Sequence, residues 1–269
     1  MAETTTPQSI YVAYWLYKLD SAFHRLRDGE RDSARAEFLH ALEARPADLT
    51  LRGAYSLEGF RADADLMFWV HGPDLDAIQR LAIALRHSGL GRYLDAVETY
   101  IGVVTPARYD PGHQPSFVMG APAKDFISVY PFVKTTEWYL LPFEKRRDLM
   151  AEHGLVGRHY AVSREKLLAF THDGATRNGK GTGTATATAP APTATLEEEE
   201  EGGGVLANTV DSFGLGDYEF ILANESDDPT ELCRMMESLR KVEVRRYTKL
   251  DTPIYLGRRR EPADAVADL

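Results

Sequence analysis

The side chains best equipped for chemistry gather between Tyr130 and Gly154. The run Tyr130-Pro131-Phe132-Val133-Lys134-Thr135-Thr136-Glu137-Trp138-Tyr139 is rich in aromatic and β-branched residues and reads as a strand. A period of two puts Tyr130, Phe132, Lys134, Thr136 and Trp138 on one face, so a single surface would carry two oxidisable rings and a cation. The next segment opens at Pro142 and stops at Gly154, the punctuation of a short helix. On it Leu149, Met150 and His153 fall at i, i+1 and i+4, which aims the imidazole from the apolar side. Two readings of His153 stay open on these residues alone. It can cap the helix C-terminus, or it can serve as an axial ligand, because a neutral imidazole among apolar side chains suits a haem iron.

The same residues resemble a known family. Tyr-Pro-Phe-Val-Lys at 130–134, Trp138-Tyr139, and His153-Gly154 followed by Gly157-Arg158 and Tyr160 look like the chlorite dismutase-like superfamily, and within it the coproheme decarboxylases of actinobacterial type. Upstream, His113-Gln114-Pro115-Ser116-Phe117 is similar to that group's distal-histidine segment, and the three segments keep the family's order and spacing. The resemblance implies His153 as the proximal iron ligand, Tyr130 as the residue oxidised to a radical, and His113 as the distal base that helps peroxide ionise. It further implies iron coproporphyrin III as both substrate and redox centre, haem b as product, and hydrogen peroxide as oxidant. Glu225 resembles the acid that in some relatives hydrogen-bonds the proximal histidine and so orients it; a turn or cap carboxylate is the alternative. A ring of five protomers and a coproporphyrin ferrochelatase as substrate donor are implied in the same way.

The chemistry of the residues is compatible with those roles. Lys134 could pair with a propionate or steady the phenol's charge, or form a surface ion pair. Trp138 could hold an oxidising equivalent or pack on the macrocycle. Arg246 and Arg158 could bind further propionates or make structural pairs. Rival functions on the same fold are chlorite splitting or peroxidase activity, for which Arg164 would be the distal arginine, and a haem carrier that needs only His153.

These side chains must be positioned by the rest of the chain. The 269 residues, 43% of them hydrophobic, suffice for one large or two small packed domains. A formal charge of −10 disfavours a nucleic-acid groove. The lone Cys233 and a polar start that lacks a signal-peptide pattern fit a reducing, cytoplasmic setting. No apolar run is long enough to span a membrane.

Strands are expected at Ile10–Leu19, Leu51–Leu57, Asp65–Val70 and Arg92–Val103, with helices from Asp20-Ser21 to about Ala44 and over Asp74–Ser88. That order, β-α-β-β-α-β, is ferredoxin-like. It recurs after residue 128: Leu85-Arg86 and Arg92-Tyr93 reappear as Leu239-Arg240 and Arg246-Tyr247, both displaced by 154 residues. The second half is expected to hold a strand at Asp217–Ala223, a polar turn at Asn224–Asp228, a helix over Pro229–Arg240 and a last strand over Val242–Leu256.

The expected fold is therefore α+β, two tandem ferredoxin-like halves forming a barrel-type core of the dimeric-αβ-barrel kind. The first half spans 1–108, a connecting loop with the distal segment 109–127, and the second half 128–174 and 205–257. Between them 175–204, with its Thr-Ala alternation, five glutamates from Glu197 to Glu201 and closing glycines, is expected to be a disordered insertion. It departs from the family's usually shorter connection. Residues 258–269 read as a fraying polar tail.

Overall fold

The computed structural model describes residues 9–105, 114–163, 165–170 and 203–269. The first half runs β1 (Tyr11–Leu19), α1 (Asp28–Glu43), β2 (Thr50–Ser56), β3 (Leu66–Gly72), α2 (Leu75–His87) and β4 (Leu94–Val103). The second runs β5 (Phe126–Lys134), a single-turn α3 (Thr136–Leu140), α4 (Phe143–Tyr160), β6 (Leu206–Asp211), β7 (Phe220–Ser226), α5 (Pro229–Leu239), a short β8 (Thr248–Leu250) and β9 (Tyr255–Arg260), and α6 (Pro262–Ala267) follows. The duplicated α+β order holds. It extends to the caps: Asp74 accepts from the Asp76 amide at the start of α2, and Asp228, 154 residues later, accepts from the Thr230 amide at the start of α5.

All strand pairings between these elements are antiparallel, in the order β7-β6-β4-β1-β3-β2-β9-β5-β8, and β5 also pairs with β7. That last pairing, with Tyr130 opposite Leu222, closes the sheet into a barrel. The halves meet at two seams, β4 with β6 through Val103 and Asp211, and β2 with β9 through Ala54, Tyr55 and Ser56. Glycine is required at the first seam, because a Cβ on Gly102 would run into Val210.

Alternation along each strand divides the apolar residues between two faces. Val12, Tyr14, Leu16, Tyr55, Met67, Trp69, Val129, Ile221 and Ala223 fill the barrel. Over the outer face of the first half, α1, α2 and α6 complete one continuous core that includes Phe38, Phe68, Val70, Ile78 and Leu81. The outer face of the second half is covered differently. Its apolar packing splits into a cluster around Trp138, Leu149, Val242 and Val244 and another around Val205, Leu232 and Met235.

Several boundaries differ from the sequence reading. The first helix starts at Asp28, after a 3₁₀ turn at Phe23–Arg25 that is preceded by a turn in which Asp20 accepts from the Ala22 amide at 2.8 Å. Strand β6 had not been anticipated. The expected last strand is instead a 3₁₀ turn at Glu243–Tyr247 followed by β8 and β9. The C-terminus does not fray: Ala265 and Val266 are fully buried against the first half's core, where hydrophobic area outweighs the cost of ordering the end. The insertion lies outside the described residues except for Gly203 and Gly204. Among the described residues no helix is long and apolar enough to cross a membrane.

Candidate active site

Strand β5 sends Ile127 and Val129 into the barrel and Tyr130, Phe132 and Lys134 outward, beneath α4 and α5. The Tyr130 phenol, 3% exposed, donates to the Met236 thioether of α5 at 3.4 Å and accepts from the Asn224 amide of β7 at 3.4 Å. Burial pushes its pKa up to about 12, against a smaller pull downward from Asn224. It is a neutral phenol at physiological pH.

The strand does not continue to Trp138. It ends at Lys134; the Thr135 amide donates to the Tyr247 carbonyl at 2.9 Å and the chain winds into α3. Trp138 nevertheless joins the layer, because one helical turn folds it back over the strand end. The Lys134 ammonium lies 4.5 Å from the Trp138 ring centre and 5.0 Å from that of Phe132. Burial draws the Lys134 pKa down to about 8; Glu219 opposes this and Arg245 adds to it. Glu219, which sequence reasoning missed, holds the site's rim: its carboxylate accepts from the Lys134 amide and the Tyr139 hydroxyl, each at 2.6 Å.

Helix α4 runs through Gly154 and Gly157 to Tyr160, so His153 is an interior helical residue and not a cap. Packing of Leu149, Met150 and Val156 against Trp138 and Val244 outweighs the modest helix cost of two glycines. Burial, and then the Lys134 charge, bring the His153 pKa down to about 4, so the imidazole is neutral at physiological pH. Its Nδ1 is buried without a hydrogen-bond partner among the described residues. A cleft of about 430 Å³ opens where α4 and α5 end, lined by Val156, Tyr160, Ser238 and Val242 among others.

Two expected members are elsewhere. Glu225 does not reach His153. It alternates with Ala223 and Ile221 on the inner face of β7, fully buried, and its carboxylate accepts from Arg52 Nη2 at 2.6 Å, Arg52 Nε at 3.0 Å and Asn208 at 3.2 Å. The period of two that turns Tyr130 outward turns Glu225 inward. Arg246 lies exposed on the 3₁₀ turn, where no strand alternation aims it at the layer. Its neighbour Arg245 and Arg240 approach the nearly buried Asp251 at 3.5 and 2.8 Å. Arg158 is exposed on α4. His113 and Arg164 lie outside the described residues.

The layer thus brings together an oxidisable phenol, a neutral imidazole and a half-desolvated ammonium between one sheet face and two helices. Comparison with known proteins bears on what such a layer serves. The family model described as chlorite dismutase matches residues 31–170 and 199–260. A coproheme decarboxylase of Mycolicibacterium smegmatis is 33% identical over 222 residues, 82% of this chain and 78% of that protein. Chlorite dismutase from Candidatus Nitrospira defluvii, solved in complex with imidazole, aligns with a TM-score of 0.72 at 21% identity, covering 96% of this chain and 94% of that one. Another structure of that enzyme gives a TM-score of 0.73 at 22% identity, with coverage of 96% and 94%. These two likenesses establish the fold.

Proposed function

Because the chain belongs to the chlorite dismutase family, we propose that it is a coproheme decarboxylase, which uses hydrogen peroxide to convert two propionates of iron coproporphyrin III to vinyl groups and releases haem b. It would close the coproporphyrin-dependent route of haem formation. The balance for each propionate is –CH₂CH₂COO⁻ + H₂O₂ + H⁺ → –CH=CH₂ + CO₂ + 2 H₂O. Peroxide supplies the oxidising equivalents, which the substrate's own iron would activate when bound; the chain supplies the ligand, the relay and the shelter from water.

One arrangement carries this reading: Tyr130 and Lys134 project from one face of β5 into the layer that His153 faces from α4. The residues fit an iron porphyrin. A neutral imidazole is the form that donates to iron, and the Nδ1 of His153 is buried without a hydrogen-bond partner among the described residues. Lys134 offers a cation to a propionate, and its partial desolvation strengthens that pairing. Trp138 packs on the macrocycle edge. Tyr130 keeps its hydrogen until it is oxidised, since its phenol does not ionise near neutral pH, and then takes hydrogen from the propionate. His113 is assigned by resemblance as the base that ionises peroxide. The proposal includes a cytoplasmic ring of five protomers fed by a coproporphyrin ferrochelatase.

The test is to load the purified chain with iron coproporphyrin III, titrate in peroxide and follow the porphyrin by mass. Two successive losses are expected. Tyr130→Phe is expected to retain iron binding and lose both steps; persistent turnover in that variant refutes the assignment. An unchanged macrocycle with oxygen release from chlorite would replace the reading with chlorite splitting.

A further inference from the structure

The barrel has a second polar end, on the inner side of the sheet and apart from the layer just described. A cavity of about 180 Å³ opens there, lined by Glu98 and Tyr100 of β4 and by Ser212, Asp217 and Tyr218 of the turn between β6 and β7. Tyr255 of β9 and Arg61 of the β2–β3 loop stand beside it: the Tyr100 ring lies 5.6 Å from that of Tyr218 and 6.5 Å from that of Tyr255. Mouths of barrels are common ligand sites. A bulge between β1 and β4, where the register shifts at Leu16/Tyr17, lies beside Glu98, and bulges often re-aim a side chain at a barrel rim.

The charges here do not close. Arg61 is committed to Asp63, with Nε at 2.7 Å and Nη2 at 2.5 Å, and its Nη1 donates to the Ile254 carbonyl at 3.2 Å. Lys18, the other cation that Asp63 senses, closes on Asp65. Among the described residues Glu98 and Asp217 form no ion pair. They face each other closely enough that Asp217, after burial, helps raise the Glu98 pKa. The Tyr100 hydroxyl is a second, independent sign. Tyr100 is 1% exposed, lines the cavity, and its oxygen is buried without a hydrogen-bond partner. Two carboxylates without an ion pair among the described residues, one exposed and one half-buried, stand with the Tyr100 hydroxyl and aromatic walls as a host for a cation.

We propose that this barrel mouth binds a small primary ammonium ion, with Glu98 and Asp217 taking its charge, Tyr100 and Ser212 oxygens accepting its N–H groups, and the Tyr100 and Tyr218 rings flanking its short alkyl tail. The Ser212 hydroxyl donates to the Ile101 carbonyl at 2.6 Å, which leaves its oxygen able to accept. The cavity's size limits the tail to a few carbons. Acidification should release the ligand as Glu98 takes up a proton, in the field of Asp217, Asp63, Arg61 and the three phenols around it.

The probe is n-propylammonium chloride, titrated into the purified full chain at constant ionic strength and followed by calorimetry, with sodium chloride and tetramethylammonium chloride as comparisons. Saturable binding of propylammonium is expected, with tetramethylammonium weaker because it has no N–H to donate. Glu98→Gln combined with Asp217→Asn should weaken binding by at least about tenfold, and Tyr100→Phe by a few-fold. Heats no different from sodium chloride would overturn the proposal, as would equal binding of tetramethylammonium or an unchanged affinity in a double variant with native circular dichroism. If the double variant does not fold, unchanged affinity in both Tyr100→Phe and Asp217→Asn overturns it equally.

Discussion

Replacing Arg52 with Met tests the buried pair that holds the other end of the barrel. Arg52 lies 7% exposed in its side chain and Glu225 is fully buried, so Arg52→Met leaves a carboxylate in the interior with no cation beside it, held by Asn208, the Lys124 backbone and the weak 3.5 Å contact from Tyr55. A carboxyl so placed takes up a proton instead of staying charged, and this sets the size of the loss. Taking a proton at pH 7 onto a group whose ordinary value is 4.5 costs about 1.4 kcal/mol per pH unit, or about 3 kcal/mol in all. Burial already raises the Glu225 pKa while Arg52 pulls it back, so about 3 is an upper bound for this part. The lost bond from Arg52 to the Ala121 carbonyl, 3.0 Å in the native chain, adds about 1 kcal/mol that does not depend on pH. Met keeps the apolar stem over Trp69, whose ring centre lies 4.8 Å from the guanidinium.

The sign follows from linkage. In the variant the folded pKa of Glu225 stands above its unfolded value, so the folded state binds the extra proton and the deficit shrinks as pH falls toward 4.5. Denaturant titrations of both proteins at pH 5.5 and 7.5 should show the destabilisation larger at the higher pH, by up to about 2.7 kcal/mol. Arg52→Met with Glu225→Gln should recover most of the loss. A deficit that is the same at both pH values, or below about 1 kcal/mol at pH 7.5, refutes the view that an uncompensated charge is what Arg52 prevents.

Three further outcomes are expected. Lys134→Met removes a cation beside His153, so the imidazole pKa should rise in the porphyrin-free chain, by less than the burial effect that remains; nuclear magnetic resonance titration reads it, and an unchanged value refutes the coupling. His153 and His71 are both held down to about 4 by burial, with Lys134 and Arg52 respectively adding to it. Their folded pKa values lie below the unfolded ones, so the porphyrin-free chain should lose stability as pH falls from 6.5 to 4, by at most about 1.4 kcal/mol per pH unit for each; the His153→Gln, His71→Gln double variant should flatten that slope, and an unaltered slope argues against it. Deleting residues 261–269 uncovers Val266 and Leu269 from the first half's core and should lower stability by at least about 3 kcal/mol, read as a drop in denaturation midpoint; an unchanged midpoint would mean that α6 adds nothing.

What could be read from the residues is what depends on short spacing. Tyr130 and Lys134 share a strand face because they are an even number apart, and that relation survives any error in where the strand ends. The shared face of Leu149, Met150 and His153 survives likewise, although Gly154 gave no stop signal that the helix obeyed. Repeats at one displacement exposed the duplication, and the caps at Asp74 and Asp228 extend it. Relations set by distant partners were not legible. The resemblance puts Glu225 beside His153, with a turn or cap carboxylate as the alternative, and nothing local points to its cation, Arg52, which stands 173 residues earlier in the chain. Trp138 was placed on the right surface by the wrong route, since nothing local to Thr135 and Thr136 announces a single helical turn. The burial of α6 depends on a surface that the opposite half builds.

The closed ring of strands also says something about inheritance. Taken alone, either half would be an open sheet with two raw borders, β4 and β2 in one, β6 and β9 in the other, and unpaired borders of that kind invite association. A precursor of one half's length would meet that demand by pairing with a second copy of itself; in the joined chain each border instead meets one from the other half, β4 on β6 and β2 on β9.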